Sequence, residues 1–132
     1  MAIPNGAGGY QLGDGNLNEA VLSVQSAPTA LTAAATVTAA QLSNGLFTFN
    51  GTAGNLTLPT VADLEAGIPN AVKVNASFDF YVINIDAGTD DVTVAVGTGW
   101  TIVGAAAVTE NTSGHFRARK TGDNSWTCYR IS

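Results

Sequence analysis

The sequence predicts an all-β fold: a compact β-sandwich or jelly-roll-like barrel over residues 29–132, with one or two short helical turns, preceded by an extended N-terminal arm over residues 1–28. Three observations predict it. Short runs of β-branched and aromatic residues recur between clusters of Gly, Asn, Asp and Pro, the punctuation of strands joined by turns. The hydrophobic fraction of 45% leans on Ala and Val, with few large aromatics, which suits thin strand layers and a shallow interior. The first 28 residues follow no period. At 132 residues the chain has room for one core, and so modest a core gains from oligomerisation or docking.

The opening PNGAGGYQLGDGN is rich in Gly and Asn. Ile3, Tyr10, Leu12, Leu17, Val21 and Leu22 are spaced too irregularly for a helix or strand face, yet the segment is too apolar for a simple solvated tail. They read as pegs on an arm that gains order by lying across another protein surface, its backbone pairing with partner groups. The alternative is an ordinary mobile terminus.

From Thr29 the elements follow in order. Thr36 and Val37 close a first Ala/Thr-rich strand, and Thr38 with Gln41 forms a capping box for a helical turn ending near Asn44-Gly45. Strands over 46–49 and 55–58 flank the turn residues 50–54, and Pro59 stops the second. Thr60 with Asp63 starts another helix, on which Val61, Leu64 and Ile68 fall at helical spacing before Pro69. Over 77–85, Phe78, Phe80 and Val82 alternate with Asp79 and Tyr81, the clearest strand with one face inward. Val92, Val94 and Val96 then alternate after the turn at 86–91 and are expected to form its hairpin partner. Shorter strands follow over 100–103 and 106–109, and a last hairpin joins 115–121 to 125–131 around Gly122-Asp123-Asn124. No repeat of fixed period is visible, which disfavours a solenoid.

Composition narrows function. Charged residues are 11% of the chain, against about 25% in typical soluble domains. Low charge fits a surface covered by partners, since interface cores are depleted of charge; a secreted or thermally robust small domain is the alternative. The net charge is −5 and no Lys or Arg precedes Lys73, which argues against nucleic acid. The one basic cluster, Arg117, Arg119 and Lys120, is short; on a strand Arg117 and Arg119 share a face that could hold a carboxylate partner, or else is a solvated outer face. The opening segment has no signal-peptide pattern and no run approaches the roughly 18 apolar residues of a membrane span, so folding in a cytoplasm and no membrane partner are expected.

Chemistry-bearing groups are sparse. His115 is the sole histidine and Cys128 the sole cysteine; nothing around Cys128 suggests an activated thiolate, and it reads as a small buried hydrophobe. Asp86, Asp90 and Asp91 do not match a calcium loop and read as turn residues. Asp63 and Glu65 suit a helix start rather than acid–base work. GAGG and GDG lack the strand-to-helix context of a phosphate loop. Trp100, Trp126, Tyr81 and Tyr129 could line a sugar groove, but core or interface anchors fit a small β domain better. The expectation is a protein that is not an enzyme, with no catalytic residues, cofactor or metal; a small hydrolase would have to run through His115 or a carboxylate.

Four stretches, PNGAGGYQLGDGNLNE, LTLPTVADLEAGIPNA followed by SFDFYVIN, VGTGWTIVG and FRARKTGDNSWTCYRIS, resemble small head proteins of tailed bacteriophages, of the capsid decoration or cement type. The resemblance spans nearly the whole chain on a general pattern rather than on a catalytic motif. It implies a structural virion protein, folded in the host cytoplasm and bound on the outer surface of the capsid, commonly as a homotrimer, its arm on the major capsid protein and its β domain projecting. Three arms joined through one trimer would raise the effective concentration of each contact. A cyclic interface would draw on second strand faces, for which Ile83, Ile85, Arg117 and Arg119 are the candidates. The alternative is a head-fibre or tail module binding host glycans.

Overall fold

Local sequence signals set the elements, and the computed structural model, which describes residues 22–132, displays them in order. Strands β1 (Thr29–Leu31) and β2 (Ala35–Thr36) precede helix α1 (Ala39–Asn44); β3 (Leu46–Phe49) and β4 (Gly54–Thr57) precede helix α2 (Val61–Gly67). Then come β5 (Ser77–Asn84), β6 (Val92–Ala95), β7 (Trp100–Val103), β8 (Ala107–Val108), β9 (Thr112–Gly122) and β10 (Ser125–Arg130). Both helix starts are as expected: Thr38 caps α1 with both halves of the capping box, and the Thr60 hydroxyl accepts from the Asp63 N–H. Gly45 ends α1 at φ 81°, the left-handed turn that favours glycine. The arm positions Ile3, Tyr10, Leu12, Leu17 and Val21 lie outside the described residues.

The strands form two sheets, a larger one in the order β1-β3-β5-β9-β10-β7 and a smaller one in the order β2-β4-β6-β8. The chain is therefore mostly β with two short helices, as the sequence indicates. From β1 to β8 consecutive strands alternate between the sheets, and as far as β7 each return to a sheet arrives running in the same direction, whereas β8 lies antiparallel to β6. β1–β3–β5 and β2–β4–β6 are accordingly parallel, as is β7 beside β10. A jelly roll is built from antiparallel strands, a pattern that these parallel pairings do not follow.

The expected hairpin between residues 77–85 and 92–96 is corrected: β5 pairs with β3 and β9, whereas β6 pairs with β4 and β8 in the other sheet. Alternation reports that each strand buries one face, and two strands facing each other across a core satisfy that as well as two side by side. The strands over 46–49 and 55–58 are separated in the same way. Successive parallel strands β1, β3 and β5 start at residues 29, 46 and 77, intervals of 17 and 31 residues, so the winding leaves no fixed period to be read. The last hairpin is as expected, β9 and β10 pairing antiparallel with Asn124 at φ 54° in the turn.

One apolar core draws on both sheets. Phe47, Phe49, Phe80, Val82, Phe116, Ala118, Trp126 and Cys128 of the larger sheet share it with Leu56, Val92, Val94 and Val108 of the smaller, and Leu42, Val61 and Leu64 of the helices close it. Phe80 lies stacked on Phe116 at 5.2 Å and edge-on to Phe47 at 6.3 Å.

Asn84 ends the inward row of β5 fully buried, and its polarity is spent on the crossing to the smaller sheet. Its amide donates to the carbonyls of Asp90 (2.8 Å) and Val108 (3.0 Å), and its oxygen accepts from the Asp86 N–H (3.1 Å). Asn84→Ala leaves those groups unpaired and is expected to lower unfolding free energy by about 2 kcal/mol. Urea denaturation checks this, and an unchanged midpoint would show that the staple contributes nothing.

Candidate functional site

The faces of β5, β9 and β10 turned away from the core carry an organised array of side chains. Alternation puts Phe80, Val82, Phe116, Ala118, Trp126 and Cys128 inward, and so Asp79, Tyr81, Ile83, His115, Arg117, Arg119, Thr127 and Tyr129 outward. Register then sets the neighbours: Tyr81 opposite His115, Asp79 opposite Arg117, and Arg117 opposite Tyr129. Leu46 of β3 extends the Tyr81 row and Val103 of β7 the Tyr129 row.

Asp79 is the centre of this face. Arg117 clamps it with two hydrogen bonds, Nε to Oδ1 at 2.6 Å and Nη2 to Oδ2 at 2.9 Å, and His115 Nε2 lies 2.8 Å from Oδ2. The Arg117 hydrogen bond, aided by His115, holds the Asp79 carboxyl down at about 2 against the cost of its partial burial. Because the folded value is depressed, this pairing stabilises above the ordinary carboxylate range and is lost as pH falls toward 2. The Tyr81 ring stacks on His115 at 4.4 Å and 23°. Arg119 donates through Nε and Nη2 to the Tyr129 hydroxyl (3.1 and 2.7 Å) and through Nη1 to Asn75 Oδ1 (2.7 Å).

Around this ordered polar strip lie apolar side chains open to solvent: Tyr81, Ile85, Val103 and Ile131 are each 45–50% exposed. Tyr and Arg held rigidly among half-exposed apolar groups have the makeup of a protein-binding surface, where such residues carry most of the affinity.

The sequence-named Arg117, Arg119 and Ile83 are brought together on this one face, and Ile85 follows directly beyond β5. Asp79, His115, Tyr81 and Tyr129 were not singled out as members of such a face. Tyr81 and Tyr129 figured only as aromatics, and the signal for the rest is the cross-strand register, which alternation alone does not supply. Lys120, the third member of that basic cluster, points inward, its side chain 7% exposed, onto Glu65 of α2. Leu22, the one described arm candidate, is 87% exposed.

Other candidates disperse. Trp100 and Trp126 are buried, their indole N–H groups donating to the Pro59 carbonyl (2.8 Å) and Glu65 Oε2 (3.0 Å), so neither offers a face to a sugar. Cys128 points into the core, where burial pushes its thiol up to about 12, while His115 lies on the opposite side of the sheet. The Asp86 carboxylate accepts the Gly88 N–H at 2.8 Å and so serves the turn. An open groove of about 570 Å³ lies where β2 and β4 lead into α1 and α2, but two of its hydroxyls, Thr38 and Thr60, are committed to capping. Among the described residues no group of three His, Cys, Asp or Glu is placed to hold a metal ion, and no helix is long and apolar enough to cross a membrane. Comparison of the chain with protein families, curated proteins and solved structures finds no match.

Proposed function

We propose that this chain is a structural virion protein that decorates and stabilises the outer surface of a phage capsid, acting through binding surfaces rather than through catalysis. The observation that carries the reading is the outer face of the larger sheet, where Tyr81, His115, Asp79, Arg117, Arg119 and Tyr129 are fixed by one another beside exposed Ile85, Val103 and Ile131. That face serves self-association, the homotrimer being the arrangement the resemblance implies. Two of the stretches that resemble decoration proteins, SFDFYVIN and FRARKTGDNSWTCYRIS, supply β5, β9 and β10, the strands of this face. In this reading the two sheets form a sandwich that projects from the shell.

The arm provides attachment to the major capsid protein. Its last residues leave the domain beside α1, moored where Gln25 Nε2 donates to the Asn44 carbonyl (2.9 Å) and Asn44 Nδ2 donates to the Ala27 carbonyl (3.1 Å). Just before this mooring, Leu22 and Val24 stand 87% and 99% exposed, apolar groups available to a partner's pockets.

Deleting residues 1–21 keeps the mooring and all the core residues described above. The expected result is a folded domain that no longer co-sediments with undecorated expanded capsids, whereas the full chain does. Decoration by the truncated protein would reject residues 1–21 as the attachment device, and failure of the full chain to bind any shell would reject the capsid reading.

A further inference from the structure

We infer that Arg119 is the receptor for a carboxylate of a second copy of this chain, joined head to tail. The inference rests on the self-association reading above and names the group through which it works. The two outward arginines differ in company. Arg117 has its charge matched by Asp79, both oxygens engaged. Arg119 is held instead by two neutral acceptors, the Tyr129 hydroxyl and Asn75 Oδ1, with its guanidinium 5.6 Å from the Tyr129 ring centre. Among the described residues no carboxylate lies within ion-pairing distance of it.

Three of the five guanidinium N–H groups are occupied by these acceptors, leaving two to receive a planar carboxylate. The side chain is thereby preorganised, so little rotamer freedom is left to lose when a partner docks. Among the described residues it is a fixed cation without a carboxylate partner, on a face rimmed by exposed apolar groups.

Charge selects the occupant and the geometry. The chain as a whole carries −5, yet among the described residues this face presents two arginines against Asp79, which is taken by Arg117. Pairing the face with its own copy about a twofold axis would set arginines against arginines. A heterologous contact brings two different patches together, so the cationic face of one copy meets acidic surface of the next and the charges complement. Nucleic acid fits poorly, because a net charge of −5 repels phosphate.

The test measures self-association of the full chain by sedimentation equilibrium at low and high salt. Arg119→Gln removes the charge while keeping a donor for Tyr129 or Asn75, and is expected to weaken association about 30-fold and to flatten its salt dependence. Arg119→Lys, which retains the charge but not the planar fork, is expected to recover part of the loss and to restore the salt dependence, a rescue that a merely structural role would not give. Circular dichroism confirms that both variants keep the fold. A wild-type chain that stays monomeric overturns this inference together with the self-association reading. A wild-type oligomer whose stability and salt dependence survive Arg119→Gln overturns the inference alone, as does an equal loss in Gln and Lys.

Discussion

Phe80→Ala is expected to destabilise the domain by about 4 kcal/mol. Phe80 has no exposed surface and sits between Phe116, stacked at 5.2 Å, and Phe47, edge-on at 6.3 Å. Truncation removes the burial of one aromatic ring and leaves a cavity that three parallel and antiparallel strands cannot close by moving, since β5 is hydrogen-bonded to β3 and β9 on either side. The neighbouring residue provides the contrast. Tyr81 is 45% exposed and its ring lies on His115, so Tyr81→Ala is expected to cost under about 1 kcal/mol. Denaturant unfolding of both variants tests the assignment of faces, and similar losses from the two would show that β5 does not divide them as described.

That division of faces was the most legible feature of the sequence. Phe78, Phe80 and Val82 against Asp79 and Tyr81 announce a strand with one side in the core, and burial follows the same alternation. Helix starts were equally open to reading, because a cap is a local event: Thr38 with Gln41 and Thr60 with Asp63 need only three residues' separation to make their hydrogen bonds. Strand partnership is not local. The valines of β6 look the same whether they lie beside β5 or across the core from it, and what decides is a crossing pinned by Asn84, whose amide reaches Val108, a residue 24 positions on. A buried asparagine gives no sign in the sequence of what it will bind.

The candidate face was legible by the same measure. Arg117 and Arg119 could be placed on one side of a strand from spacing alone. Their different fates depend on what the neighbouring strands bring: Asp79 across from Arg117, and Ser77 across from Arg119, which leaves the second arginine to Tyr129 and Asn75. Asn75 sits at φ 75° in the loop before β5, a backbone conformation asparagine tolerates; its place beside Arg119 comes from that loop's hydrogen bond to the Lys120 carbonyl, Asn75 N to O at 2.8 Å. Function on such a face is a property of three strands together, and a single strand's pattern reports only the side on which each residue falls.

Glu65→Ala is expected to cost about 3 kcal/mol, more than its position on a short helix suggests. Lys120 continues the inward row of Gly114, Phe116 and Ala118, its side chain 7% exposed, and its ammonium is met under α2 by Glu65, which also accepts the Trp126 indole N–H at 3.0 Å. Removing the carboxylate strands a charge and a buried donor at once. Lys120→Met is expected to cost less, because Glu65 at 26% exposure keeps Trp126 and some water. The double variant Glu65→Leu with Lys120→Met should fall within about 1 kcal/mol of the original, since a well-packed apolar pair replaces an ion pair whose desolvation is costly. Acid gives an independent reading. Hydrogen bonds from Lys120 first and Trp126 second lower the Glu65 carboxyl from its ordinary 4.5, so its contribution is present above that value and fades as pH falls through the folded one. Stability of the original chain should therefore decline in acid more steeply than that of the double variant. Equal acid limbs, or a Glu65→Ala loss under about 1 kcal/mol, would mean that the Lys120 ammonium finds water without its partner.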